Sequence, residues 1–195
     1  MDERIYILRN EAKERGEPVL RDASFELLIK TIKEKRPKKI LEIGTNVGLS
    51  GIAMLLASPT SSLTGIEIDE EKIALAKENY KTFGVDNRAK IFYGDASQII
   101  PVLTGTYDFI FLDGPKGHYF EYLENLLSAL EVGGILFADN VLFRGYVNGR
   151  VKTPKKYNTT MYSMQKFLKA ISENPCLKSQ ILDIEDGVSI TEKIK

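Results

Sequence analysis

The segment Lys38 to Ser50, KKILEIGTNVGLS, constrains this chain more than any other stretch, because it reads as a buried strand entering a glycine-bearing turn and then a helix. Ile40, Leu41 and Ile43 make a short β-branched-rich run, which suits a strand covered on both faces in a parallel sheet. Gly44 and Gly48 follow. Glycine lets the backbone turn sharply and approach a ligand closely, and a helix starting near Asn46 would aim its free N–H groups at whatever binds there.

The rest of the chain repeats the pattern. Strands are expected at Ser62 to Ile68, Ala89 to Tyr93, Tyr107 to Leu112 and Gly134 to Ala138, with helices at Val47 to Ala57, from Asp69 to Gly84, and from about Tyr119 to Leu130. Strict alternation demands a Rossmann-like, doubly wound, mostly parallel α/β sheet. After a helix over Thr160 to Ser172, strands at Gln180 to Ile184 and Val188 to Ile194 flank Glu185-Asp186-Gly187, a hairpin signal that closes a seven-stranded sheet with an antiparallel strand. At the other end, Asp2 to Arg15 forms an amphipathic helix, and Asp22 caps a second through about Lys35. With 195 residues and 43% apolar content, the expectation is one domain over 1–195: helices at 1–35 covering a site, and a Rossmann-like core at 36–195. One cysteine, Cys176, excludes an internal disulfide and fits a reducing cytoplasm, and no run approaches membrane-spanning length.

In open parallel sheets ligands bind beyond the carboxyl ends of the strands. The turn at Gly44 and Gly48 is Gly-x-x-x-Gly, not the Gly-x-Gly-x-x-Gly that cradles a pyrophosphate. Glu42 beside it would repel a phosphate but could hold the cationic amine of an amino-acid moiety. These departures point away from NAD and toward S-adenosylmethionine, against the alternative of a tight turn with no ligand. Glu67 lies 23 residues after Gly44, near the spacing at which an acid receives ribose hydroxyls. Asp95, Ala96 and Ser97 form a turn able to edge an adenine. A lone Asp at such a position is otherwise a helix cap, but five strand ends in succession carry polar groups.

Asp113, Asp139 and Asn140 offer two carboxylates and an amide oxygen, a hard set suited to Mg2+ or Mn2+. One cysteine and one histidine, His118, cannot build a zinc cage or a Ser-His-Asp hydrolase; His118 fits better as a residue ordering the metal site. Lys116, three residues after Asp113, is either a general base favoured as a neutral amine or a solvated surface lysine.

The motifs LEIGTNVGLS, GIEID, GDAS, FLDGPKGHY and FADN together resemble the cation-dependent, S-adenosylmethionine-dependent O-methyltransferases that include catechol and caffeoyl-CoA O-methyltransferases. The resemblance runs from about Pro18 to the C-terminus. It implies a class I methyltransferase fold, methionine-moiety contact at Leu20, Glu42 and Ser50 beside Gly44, Asn46 and Gly48, ribose contact at Glu67, and adenine-side contact at Asp95 to Ser97. Asp113, Asp139 and Asn140 fall on the metal ligands, with Asp113 also beside the cofactor, and Lys116 on the proposed base. A homodimer is implied, for which the apolar faces of the first helices would serve.

Within the family, DNVLFRGYV and PKGHY look most like bacterial tRNA 5-hydroxyuridine methyltransferases. Val141 to Ser172 holds no acidic residue and seven basic ones, so Arg144, Arg150, Lys152, Lys155 and Lys156 are the candidates for RNA phosphates. The leading expectation is methylation of 5-hydroxyuridine in tRNA to 5-methoxyuridine. The alternatives are a small catechol-like or phenolic substrate, which offers the same pair of adjacent oxygens, and a non-catalytic S-adenosylmethionine-binding module.

Overall fold

Three parallel strands organise the first half of the chain and four strands of mixed direction the second, in a computed structural model that describes residues 3–195. Asp2, where the first helix was expected to begin, lies outside the described residues. Seven strands form one sheet, in the order Ala89–Tyr93, Ser62–Glu67, Lys39–Ile43, Tyr107–Leu112, Leu130–Asp139, Val188–Lys193 and Leu177–Leu182. By chain contacts the molecule divides into two units, one ending at Ala96 and one beginning at Ser97.

The first unit runs α1 (Arg4–Glu14), α2 (Asp22–Lys35), β1 (Lys39–Ile43), α3 (Leu49–Ala57), β2 (Ser62–Glu67), α4 (Glu70–Thr82) and β3 (Ala89–Tyr93). Ile40, Leu41 and Ile43 of β1 are buried, as a strand covered on both faces requires. Asp69 caps α4 by accepting from the Glu71 and Lys72 amides. Asp22, expected to cap α2, is instead its first helical residue and accepts from Arg9 and Lys13. Arg9 is 2% exposed, donates to the Leu20 carbonyl at 2.9 Å, and lies over the Phe25 ring at 3.7 Å. This buried guanidinium pins α1 to the extended joint before α2.

The apolar faces expected to serve a dimer are used inside the protomer. Ile5, Ala12, Phe25, Leu28, Ile29 and Ile32 are all buried, and α1 leaves only Tyr6 and Ile7 as large exposed apolar residues.

A short helix, α5 (Ala96–Ile99), leads into the second unit: β4 (Tyr107–Leu112), α6 (Tyr119–Ala129), β5 (Leu130–Asp139), α7 (Asn158–Glu173), β6 (Leu177–Leu182) and β7 (Val188–Lys193). β4 and β5 are parallel; β5–β7 and β6–β7 are antiparallel. β5 begins four residues earlier than its apolar run, because an irregularity in its pairing with β4 absorbs Glu131 to Gly134. Among the described residues no helix is long and apolar enough to cross a membrane.

Candidate active site

The C-terminal end of β1 opens into a turn with Gly44, Asn46 and Gly48 all at positive φ, 90°, 47° and 84°. Gly48 is the residue before α3, so the helix starts at Leu49 and not near Asn46. A left-handed residue cannot sit inside an α-helix, and the extra turn frees the Asn46 amide to face sideways. That amide donates to Glu67 Oε2 at 2.7 Å. Glu67 Oε1 accepts the Ile68 and Asp69 amides at 2.9 and 3.0 Å, so the carboxylate expected to meet a ribose is held by three backbone donors. The Asn46 side chain donates to the Pro18 carbonyl at 2.9 Å, which brings the joint carrying Leu20 to the turn. The Gly94 amide bonds the Glu67 carbonyl, placing Asp95 and Ala96 after the neighbouring strand end.

Glu42 is fully buried, and its Oε1 accepts the Ser50 hydroxyl at 2.5 Å. The half-buried Ser50 hydroxyl thus covers one oxygen of this inaccessible carboxylate. Leu20, Glu42, Gly44, Asn46, Gly48, Ser50, Glu67, Asp95 and Ala96 all belong to the first unit, whereas Ser97 and Asp113 belong to the second.

In the second unit the acids follow β4 and end β5. Asp113 Oδ1 accepts Lys116 Nζ at 2.5 Å, and Lys116 also donates to the Tyr119 hydroxyl at 3.1 Å. Tyr119, buried at the start of α6, donates in turn to the Leu112 and Asp139 carbonyls at 3.0 and 3.2 Å. One phenol thus ties the strand ends that carry Asp113 and Asp139. Asp139 is 2% exposed, and Asn140 turns off the strand at φ 57°.

Lys116 is half-buried and bonded to Asp113 and Tyr119, unlike a solvated surface lysine. Burial alone would lower its pKa, but Tyr119 and Asp113 beside it outweigh burial and hold it above the ordinary lysine value. Burial raises the Tyr119 hydroxyl, with Asp113 and Asp139 acting in the same direction and Lys116 against it. Tyr119 was missed as a site residue in the sequence; its place inside FLDGPKGHY was the available signal. His118 is exposed, stacked on Tyr122 and 2.6 Å from Glu121.

Among the described residues no group of three or more His, Cys, Asp or Glu side chains gathers to hold a metal. Two carboxylates and one amide oxygen at strand ends pinned by Tyr119 still fit a hard cation, which keeps part of its shell for water and substrate.

The basic segment after Asn140 is not a bare positive face. Arg150 forms a two-pronged pair with Asp183, with one contact at 2.7 Å. The Arg144 amide donates to Asp186 Oδ1 at 2.5 Å, and Arg144 and Lys156 lie over the Tyr157 ring. The connection between β6 and β7 brings these acids alongside from 33 and 42 residues further along the chain. Lys152 and Lys155 are exposed.

A family model described as O-methyltransferase matches residues 17–194. The chain is 29% identical over 180 residues to a caffeoyl-CoA O-methyltransferase of Medicago sativa, covering 88% of this chain and 72% of that protein. It is 29% identical over 187 residues to Tapetum-specific methyltransferase 1 of Arabidopsis thaliana, covering 93% and 79%. The SAH-bound Podospora anserina methyltransferase PaMTH1 superposes with a TM-score of 0.80 at 28% identity, covering 90% of this chain and 80% of that one. Matched along nearly its whole length, this chain belongs to the O-methyltransferase family.

Proposed function

We propose that this protein transfers a methyl group from S-adenosylmethionine to one of two adjacent hydroxyls on a small catechol-like substrate, with Asp113, Asp139 and Asn140 holding a divalent cation. The observation that carries the reading is the Tyr119 hydroxyl, which joins the Leu112 and Asp139 carbonyls and receives Lys116, so that two acids and a proton-bearing amine are ordered at two strand ends.

S-adenosylmethionine supplies an electrophilic methyl on a sulfonium, and a cation on the hard oxygen set supplies polarisation of the neighbouring hydroxyl. The chain's own residues do the rest. Glu67, locked by three amides, presents a fixed acceptor edge for ribose hydroxyls. Ser50 faces the amino-acid moiety with the Glu42 charge behind it. Lys116 is the group placed for proton transfer, but in the free protein it is an ammonium held by Asp113. To act as a base it must first lose that hold, and a carboxylate shared with a second cation binds the lysine proton less firmly.

The comparisons support the catechol-like substrate over tRNA. A caffeoyl group carries two neighbouring phenolic hydroxyls, and relatives of that name are similar along most of this chain. The tRNA expectation leaned on a segment free of acids, and in the fold Asp183 pairs with the Arg150 side chain and Asp186 accepts the Arg144 amide.

The test is a side-by-side assay with S-adenosylmethionine and Mg2+ of small catechols and of tRNA bearing 5-hydroxyuridine. Methylation of a catechol in the absence of any tRNA product is expected. The converse result overturns the substrate assignment.

A further inference from the structure

Asn140 opens a loop whose backbone is unusual for the residues it contains. Phe143 and Arg144 stand in succession at φ 40° and 58°, after Asn140 at 57°. Asparagine visits this left-handed region readily, whereas a bulky phenylalanine does so only where its surroundings hold it there. The holder is the turn between β6 and β7. The Val141 amide donates to the Gly187 carbonyl at 2.9 Å, the Leu142 amide to the Asp186 carbonyl at 2.8 Å, and the Arg144 amide to Asp186 Oδ1 at 2.5 Å. Two adjacent hairpin residues thus take three of the first four amides after Asn140. The fourth, that of Phe143, closes back onto the Asn140 carbonyl at 3.0 Å. Half-buried Asp186 supplies both a main-chain and a side-chain acceptor, so it grips the loop on either side of Phe143.

We infer that Asp186 is a positioning residue for the cation site: by holding the amides that flank Phe143 it fixes the backbone leaving Asn140, and so sets where the Asn140 amide oxygen can reach. A small hard cation demands near-ideal placement of its oxygen ligands, and a ligand on a loose backbone binds it less well. Asp186 acts through the loop and needs no contact with the metal. The assignment rests on the cation site proposed above, and every residue in it belongs to the second unit.

The experiment titrates Mn2+ and, separately, S-adenosylhomocysteine by calorimetry into the wild type and into Asp186→Ala, Asp186→Asn, Asp183→Ala and Asp139→Asn. Asp186→Ala should weaken Mn2+ roughly tenfold, as loss of a group that supports a metal ligand does. S-adenosylhomocysteine affinity should stay within about twofold. Asp186→Asn keeps an oxygen acceptor for the Arg144 amide and should recover most of the Mn2+ affinity. Asp183→Ala removes an equal charge from the same connection, where the partner is Arg150, and should bind Mn2+ as the wild type does. If the wild type binds no Mn2+, or Asp139→Asn binds it equally well, the cation site falls and the Asp186 role with it. If Asp139→Asn weakens Mn2+ and Asp186→Ala does not, only the Asp186 role is overturned. A loss in Asp186→Asn or Asp183→Ala as large as in Asp186→Ala marks charge or general hairpin stability, and a matching loss of S-adenosylhomocysteine marks a global defect; each also overturns the role. Should Asp186→Ala not fold, hydrogen exchange on the wild type decides. Coupling is reciprocal, so saturating Mn2+ should slow exchange of the 141–144 amides by about tenfold, and unchanged exchange overturns the inference.

Discussion

The Glu67 carboxylate accepts the Asn46 amide at 2.7 Å, so the acid at the end of β2 clamps the turn that follows β1. Its second oxygen takes the Ile68 and Asp69 amides. Glu67→Ala should therefore act twice. It removes the acceptor offered to the ribose, worth about 1.5–3 kcal/mol of cofactor affinity, and it strips three backbone donors of their partner. Glu67→Gln keeps an oxygen acceptor and should lose less on both counts. Calorimetry with S-adenosylmethionine together with denaturant unfolding checks this. Unchanged affinity in Glu67→Ala would remove the residue from the cofactor site.

The acids at the ends of β4 and β5 make the second prediction. Chelator should bring turnover to background and Mg2+ or Mn2+ should restore it, and Asp139→Asn should bind the metal far more weakly. In this nearly inaccessible place the amide variant keeps the side chain's shape but removes its charge and exchanges one acceptor oxygen for an NH2 donor. Metal titration by calorimetry separates this from misfolding. Full activity in excess chelator ends the metal reading.

Most of the fold was legible because it is written in local periodicity. β3 and β4 fall where their apolar runs do, and Asp69 caps α4 as its position before two acids implies. What escaped the sequence was long-range. The start of α3 moved to Leu49 because Asn46 and Gly48 adopt positive φ, which no spacing rule announces for an asparagine. The Asp183–Arg150 pair joins residues 33 apart in the chain, so the stretch that looked uniformly basic is partly neutralised. The site acids were visible as a series of strand ends. Tyr119 was not, since a tyrosine beside a helix start reads as core until its hydroxyl is located.

Lys116 yields a prediction in which charge and proton transfer come apart. Its pKa is raised, so its pairing with Asp113 contributes stability that is complete below about pH 10 and is lost only as pH rises through the higher folded value. Stability between pH 6 and 9 should show no slope from this residue. Arginine keeps the positive charge but cannot be deprotonated, so Lys116→Arg should cost about 10²–10⁴ in kcat if the lysine acts as a base. Near-native turnover in Lys116→Arg would reduce its role to charge.

The hairpin turn before β7 should be as sensitive as the site. Gly187 has φ 85°, and a Cβ there would run into the Leu142 side chain and lie 2.8 Å from its amide nitrogen. The Gly187 carbonyl accepts the Val141 amide, one residue beyond Asn140. Left-handed strain alone costs about 1–2 kcal/mol, and the clash adds to it. Gly187→Ala should thus lower Tm and weaken metal binding together. A Tm equal to wild type would show that the loop after Asn140 can yield at no cost.

Substrate choice can be read from the basic segment, because its residues are now unequal. Arg150 is paired with Asp183 and Arg144 lies over Tyr157, whereas Lys152, Lys155 and Lys156 present exposed ammonium groups, that of Lys156 beside the Tyr157 ring. A phosphate backbone bound here would meet Lys152, Lys155 and Lys156, and their joint replacement by glutamate would flatten the salt dependence of tRNA binding, since fewer counterions are released. A small catechol brings no phosphate, and exposed charges at a distance are screened in ordinary buffer. The triple variant should therefore retain catechol methylation within about threefold of wild type, a shift below 1 kcal/mol. A 5-hydroxyuridine-bearing tRNA whose turnover collapses in this variant would place phosphates on these lysines and return the RNA reading to first place.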